Sequence, residues 1–126
     1  MKESLAAGIA NEMTRTVTAA MSPPHLPGLL ATSQMISLME DTCLQAVQPH
    51  LDEPETTVGI HVDVSHVGAA YAGEEVTARI RLAKITRHRL LSFEVEVHSP
   101  RGVISTGTHQ RLVVEKSRFD QAQAPR

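Results

Sequence analysis

Hydrophobic and polar positions change their period once along this chain, near residue 50. From Leu30 to Val47 the apolar positions recur at helical spacing: Met35, Ile36, Leu38, Met39, Cys43, Ala46 and Val47, together with Thr32 and Thr42, fall on one broad arc. Gln34, Ser37, Asp41, Gln45 and Gln48 fall on the other. This predicts an amphipathic helix that Pro49 brings to an end, since proline has no amide hydrogen to continue the ladder. Beyond the polar loop "HLDEPETT" the period becomes two. Val58, Ile60, Val62 and Val64 alternate with His61, Asp63 and Ser65; Val76, Ala78, Ile80 and Leu82 with Thr77, Arg79 and Arg81; Leu91, Phe93, Val95 and Val97 with Ser92, Glu94, Glu96 and His98. These predict strands with one face buried. A last run, "GVISTGTHQRLVVE", is apolar on both parities near its end and is expected to lie centrally in a sheet. "TRHR" (Thr86 to Arg89) and "SPRG" (Ser99 to Gly102) are the turns between strands.

Before the helix, the Thr-rich run "MTRTVTAA" from Met13 to Ala20 reads as a further strand. "SPPHLPG", with three prolines and a glycine, is an irregular connection. The order is therefore strand, helix, then four strands joined by short turns. That is an α+β chain in which a five-stranded antiparallel sheet wraps one central helix, the outline of a hotdog fold. A ferredoxin-like arrangement would need a second helix among the later strands, and no window after residue 50 has helical period. One domain is expected over residues 1–116. The segment 117–126 is a polar tail without periodicity, expected to fray.

Composition narrows the function. In 126 residues there are two Phe, one Tyr and no Trp, and the formal net charge is −2. Neither stacking platforms nor a basic field for a phosphate backbone is present, so nucleic-acid binding is not expected. Cys43 is the single cysteine, which excludes an intrachain disulfide or a cysteine zinc cluster and suits a reducing compartment, the cytoplasm. Nowhere do the ~18 apolar residues of a membrane span run together. The histidines show no zinc-type spacing such as H-E-x-x-H, and no motif calls for a metal or cofactor.

Three residues stand out from the pattern. Glu40 sits on the seam of the predicted helix, between the apolar arc and the polar face. It is either a surface carboxylate snorkelling to solvent or one that lines a cavity at the edge of the core. His66 ends the first period-two strand with the parity of its inward residues, and is either a core histidine satisfied by backbone or a partner for that carboxylate in acid and base chemistry. Thr32 opens the helix, where unpaired N–H groups could hold an oxyanion; Thr32 or Ser33 could equally be an ordinary N-cap. Eight residues of helix, ~12 Å, separate Thr32 from Glu40. The two can share a site only if Thr32 folds back or if they meet across a dimer.

The segments "ATSQMISLMEDTC", "VGIHVDVSHVGAAYAG" and "STGTHQRLVV", in that order, resemble the hotdog thioesterase family typified by fluoroacetyl-CoA thioesterase. The resemblance implies a homodimeric enzyme acting on an acyl-CoA, with Thr32, Glu40 and His66 as its catalytic trio. It also implies that Gly59, seven residues before His66, lies near the thioester carbonyl, and that Arg111 matches a family arginine. Ser33, beside Thr32, joins Gly59 and Arg111 as a candidate substrate-binding residue. The lead-in "SPPHLPGLLATS" has no Phe, Tyr or Trp where the family's fluoroacetyl-CoA enzyme is aromatic-rich, so a short or medium acyl group is expected, without specificity for fluoroacetyl. Two rival functions fit the same fold: a non-catalytic binder of acyl-CoA or another hydrophobic small molecule, and a dehydratase or hydratase.

Overall fold

A computed structural model describes residues 1–120. The chain forms β1 (Ala10–Thr16), α1 (Thr32–Val47), β2 (Glu55–Val64), β3 (Glu75–Thr86), β4 (Leu90–Ser99) and β5 (Gly102–Glu115). All pairings are antiparallel and the five strands lie in the order β1-β3-β4-β5-β2. The one α-helix among the described residues packs on β3, β1 and β4, which gives the hotdog architecture expected from the order of periods.

The core forms where two periodicities meet. Met35, Leu38, Met39, Cys43 and Val47 of α1 share one cluster with Val76, Ala78, Ile80 and Leu82 of β3 and with Leu91, Phe93, Val95 and Val97 of β4. Each large member contributes roughly 1.5–3 kcal/mol by leaving water. Asn11 Nδ2 donates to the carbonyl of Thr42, and Arg15 pairs with Asp41 at 3.0 Å, so β1 is fastened to the outer flank of the helix. The helix is thereby fixed in rotation as well as position, which determines where Glu40 points.

Four expectations change on the structure. The first strand runs Ala10–Thr16 rather than Met13 to Ala20, because Val17 N–H pairs with Glu74 and Ala19–Met21 turns as a short 3₁₀ helix toward the proline-rich connection. No side chain caps α1; its N-cap is Ala31, and Thr32 spends its hydroxyl elsewhere. The inward face of β2 is not the one expected: Thr57 is buried where Val58 is only half-buried, and beyond Gly59 a bulge leaves residue 60 without a partner between the Gly59–Arg111 and His61–Gln110 pairs. Ile60 and Val62 are 51% and 38% exposed, on an edge strand. Finally, the start of the expected tail has local structure: Lys116–Phe119 forms an exposed 3₁₀ turn, with Lys116 N–H donating to the carbonyl of Pro54. The rest of the expected tail, from 121 on, lies outside the described residues.

Candidate active site

The helical seam places Glu40 against the sheet at β2 and β5. Its Oε2 lies 3.6 Å from Arg111 Nη1 and 3.9 Å from His109 Nε2, and its side chain is 37% exposed. The carboxylate is thus neither a free surface group nor a core group: one oxygen faces buried nitrogen atoms while part of the side chain meets solvent. It fits there because residue 59 has no side chain. A β-carbon on Gly59 would stand 2.6 Å from Glu40 Oε2, 3.1 Å from His109 Cε1 and 3.3 Å from Arg111 Nη1.

Arg111 and His109 are paired with protein throughout. Arg111 Nε donates to Thr57 Oγ1 at 2.8 Å and Nη2 donates to the Thr57 carbonyl at 3.1 Å, which fixes one edge of the guanidinium against β2. Nη1, the remaining end, lies 3.1 Å from His109 Nε2. His109 is fully buried, its ring stacked on Phe93 with centroids 6.4 Å apart, and its Nδ1 lies 2.7 Å from the carbonyl of His61. Burial pushes the Arg111 guanidinium down from its ordinary value, with Glu40 pulling it back up; it remains a cation. Burial likewise lowers the His109 imidazole, against the bond to the His61 carbonyl. The sequence placed Arg111 among substrate-binding candidates; its guanidinium is turned to Thr57, His109 and Glu40. His109 went unremarked in the sequence. Its one signal there was a polar residue two positions before Arg111, on the same face of a strand that is apolar on both sides near its end.

A second cluster forms at the start of the helix. His66 lies two residues beyond the end of β2, half-buried, and its Nδ1 makes a 2.7 Å hydrogen bond with Thr32 Oγ1. Thr32, Ser33 and His66 line a cleft of about 680 Å³ whose other walls are mainly aliphatic, among them Leu26, Leu29, Leu30 and Val67. No side chain caps the N–H groups of the first turn, to which the cleft-lining Thr32 and Ser33 belong.

The structure therefore gathers the candidates into two half-sites. Thr32, Ser33 and His66 stand at one, Glu40, Gly59 and Arg111 at the other, with His109 beneath. Thr32 sits in the first turn of α1 and does not fold back toward Glu40, so the ~12 Å of helix between them stands. Among the described residues no helix is long and apolar enough to cross a membrane.

The family described as fluoroacetyl-CoA-specific thioesterase matches residues 12–117. A fluoroacetyl-CoA thioesterase from Streptantibioticus cattleyicolor is 34% identical over 96 residues, which are 76% of this chain and 68% of that protein. Among solved structures, the fluoroacetyl-CoA thioesterase FlK superposes with a TM-score of 0.88 at 26% identity, over 98% of this chain and 100% of that one. A hot-dog-like protein from Thermanaerovibrio acidaminovorans superposes with a TM-score of 0.83 at 19% identity, over 95% and 94% of the two chains, which establishes a likeness of fold.

Proposed function

The chain belongs to the fluoroacetyl-CoA-specific thioesterase family and hydrolyses acyl-CoA thioesters to a free acid and CoA, and on that premise we propose that Thr32, Glu40 and His66 carry the reaction. The observation that carries this reading is the recess shaped for the Glu40 carboxylate. Gly59 leaves room for it, and Arg111 presents a buried cation to it. An ionised carboxylate at that place either takes a proton from the attacking water or attacks the thioester carbonyl itself to give an anhydride that water then opens. Both routes use the same charge in the same position.

The oxyanion that develops on the carbonyl is held by the free N–H groups of Thr32 and Ser33 at the positive end of α1, supported by the lack of a competing side-chain cap. Collapse of the tetrahedral adduct breaks the carbon–sulfur bond, and the leaving thiolate takes up a solvent proton relayed through the hydrogen-bonded Thr32–His66 pair, while the proton lost by the attacking water leaves through Glu40 to solvent. Ser33 lines the same cleft. Its walls favour a short or medium apolar acyl chain, since beside the polar Thr32, Ser33, His66 and His25 they are mainly aliphatic and hold no Phe, Tyr or Trp.

The two half-sites become one in a homodimer, which we include in the proposal. β2 is an edge strand with unpaired backbone groups and exposed Ile60 and Val62, features that invite a second copy of the same strand. Val62 stands three residues from Gly59 and four from His66. Antiparallel self-pairing about a two-fold axis near Val62 brings Gly59 and Glu40 of one protomer beside Thr32 and His66 of the other. The free, buried Cys43 thiol is consistent with a cytoplasmic protein.

The test is a panel of acyl-CoA esters from acetyl and fluoroacetyl to decanoyl, with released CoA followed by a thiol-reactive dye. Turnover that peaks on a short or medium alkyl chain and is lost in Glu40→Gln is expected. Turnover confined to fluoroacetyl-CoA would overturn the proposed acyl preference, and full activity of Glu40→Gln would overturn the proposed trio.

A further inference from the structure

The hydrogen bonds of His109 fix its tautomer without reference to pH. Nδ1 faces the His61 carbonyl at 2.7 Å, an atom that can only accept, so Nδ1 carries the hydrogen. Nε2 faces Arg111 Nη1 at 3.1 Å, an atom that can only donate, so Nε2 carries the lone pair. The ring is therefore neutral, and it is the acceptor for an Arg111 N–H that no other side chain takes. Phe93 against its face and full burial leave the imidazole no other orientation.

We propose that His109 is a positioning residue for hydrolysis: its Nε2 lone pair holds the outer nitrogen of Arg111 so that the guanidinium presents its charge to Glu40. Thr57 secures Nε and Nη2, but both bonds lie on one edge of the guanidinium, and Nη1 is the end that reaches Glu40 Oε2 at 3.6 Å. With the acceptor removed, a buried N–H is left unpaired, and Nη1 moves to recover a partner or admits water. The ring also forms part of the wall behind the carboxylate, at 3.9 Å from Oε2. A protonated imidazole would instead turn an N–H toward the Nη1 hydrogens and set a second cation against the first. His109 acts through Arg111 and Glu40 and touches no reacting atom, so this inference rests on the proposed role of Glu40.

Substitutions that split the two functions of the ring provide the test. In His109→Gln the amide oxygen stands where Nε2 was and can accept from Arg111; in His109→Asn the amide nitrogen stands where Nδ1 was and keeps only the bond to His61; His109→Phe keeps the shape and neither bond. We expect kcat within about threefold of wild type for His109→Gln, and a fall of about tenfold or more for His109→Asn and His109→Phe, as for a lost preorganised contact. KM should change less than kcat in all three, because His109 is fully buried and does not line the cleft that takes the acyl chain. Equal loss in all three variants would mark His109 as a structural residue only and overturn the proposal, as would wild-type kcat in His109→Asn. If His109→Phe fails to fold, the comparison of Gln with Asn decides alone. Glu40→Gln separates the two levels: an active Glu40→Gln removes the reading of Glu40 and this inference with it, whereas an inactive Glu40→Gln beside a fully active His109→Asn removes this inference alone.

Discussion

Gly59 and Glu40 are fitted to each other: a β-carbon on residue 59 would stand 2.6 Å from Glu40 Oε2, closer than any non-bonded carbon–oxygen contact tolerates. The requirement for glycine comes from the neighbouring carboxylate and not from backbone strain, since Gly59 is not among the glycines with positive φ. Gly59→Ala is therefore expected to fold and to displace the carboxylate. A shift of roughly 1 Å in a catalytic group can cost ~100-fold, so a fall in kcat of one to two orders of magnitude should accompany a melting temperature within a few degrees of wild type. Wild-type kcat in Gly59→Ala would show that the carboxylate has no fixed catalytic position.

Stability should carry the signature of His109. Burial holds its folded-state value below the ordinary 6.5, so between those two values the unfolded chain binds more protons than the folded one. Its contribution is complete above pH 6.5 and is lost as the pH falls toward the folded value, at a slope of at most about 1.4 kcal/mol per pH unit for one proton. Glu74, held at about 2 by Arg101, acts in a lower window, below its ordinary 4.5, and is easily told apart. Urea midpoints measured from about pH 7.5 to 5 should fall more steeply for wild type than for His109→Gln, which has no imidazole to titrate. Parallel curves for the two proteins would contradict this assignment.

How much of this could be read from the chain depended on whether a residue's environment is local. The faces of β3 and β4 followed from alternation alone, because both strands pack their apolar face on α1: Val76, Ala78, Leu82, Leu91, Phe93 and Val97 are all 1% exposed or less. Glu40 was legible as an anomaly, since helical period is local and a seam carboxylate breaks it. β2 was not legible. Its alternation is as regular as that of β3, but its position at the sheet edge and its bulge after Gly59 depend on register against β5, which no local pattern encodes. His109 was missed for a similar reason. Its role follows from a carbonyl 48 residues earlier in the chain and a guanidinium two residues later, and only folding brings the three together. Arg111 was found through resemblance, and its bonds to Thr57 could not have been.

Cys43 should be inert in the native protein. It is wholly buried on α1, and burial pushes its thiol up to about 12, with Arg111 opposing the shift and Glu40 adding to it. A thiolate is the reactive form, so an aromatic disulfide reagent at mildly alkaline pH should find no protein thiol until urea is added, and then one per chain. The thiol released from an acyl-CoA in the same assay is then attributable to substrate. Rapid labelling of the folded protein would show that the core beside Glu40 opens to solvent.

Sharing of the site between protomers can be tested by complementation. Within one chain Thr32 bonds His66 while Glu40 faces Gly59, Arg111 and His109, and the two groups are offset by eight residues of helix, ~12 Å. If β2 pairs with its own copy, each site takes Thr32 and His66 from one protomer and Glu40 from the other. A heterodimer of a Thr32→Ala chain with a Glu40→Gln chain then has one site carrying both lesions and one carrying neither. Each homodimer should be nearly inactive, and unfolding and refolding an equal mixture should form heterodimers in half the population, restoring about a quarter of wild-type activity by the count of intact sites. Sites confined to single chains predict the opposite: every site keeps its own lesion whatever its partner, and mixing restores nothing. Light scattering on the unmixed protein supplies the control, since a monomer at assay concentration would defeat the shared site, and a dimer that exchanges without regaining activity would place all three residues in one protomer.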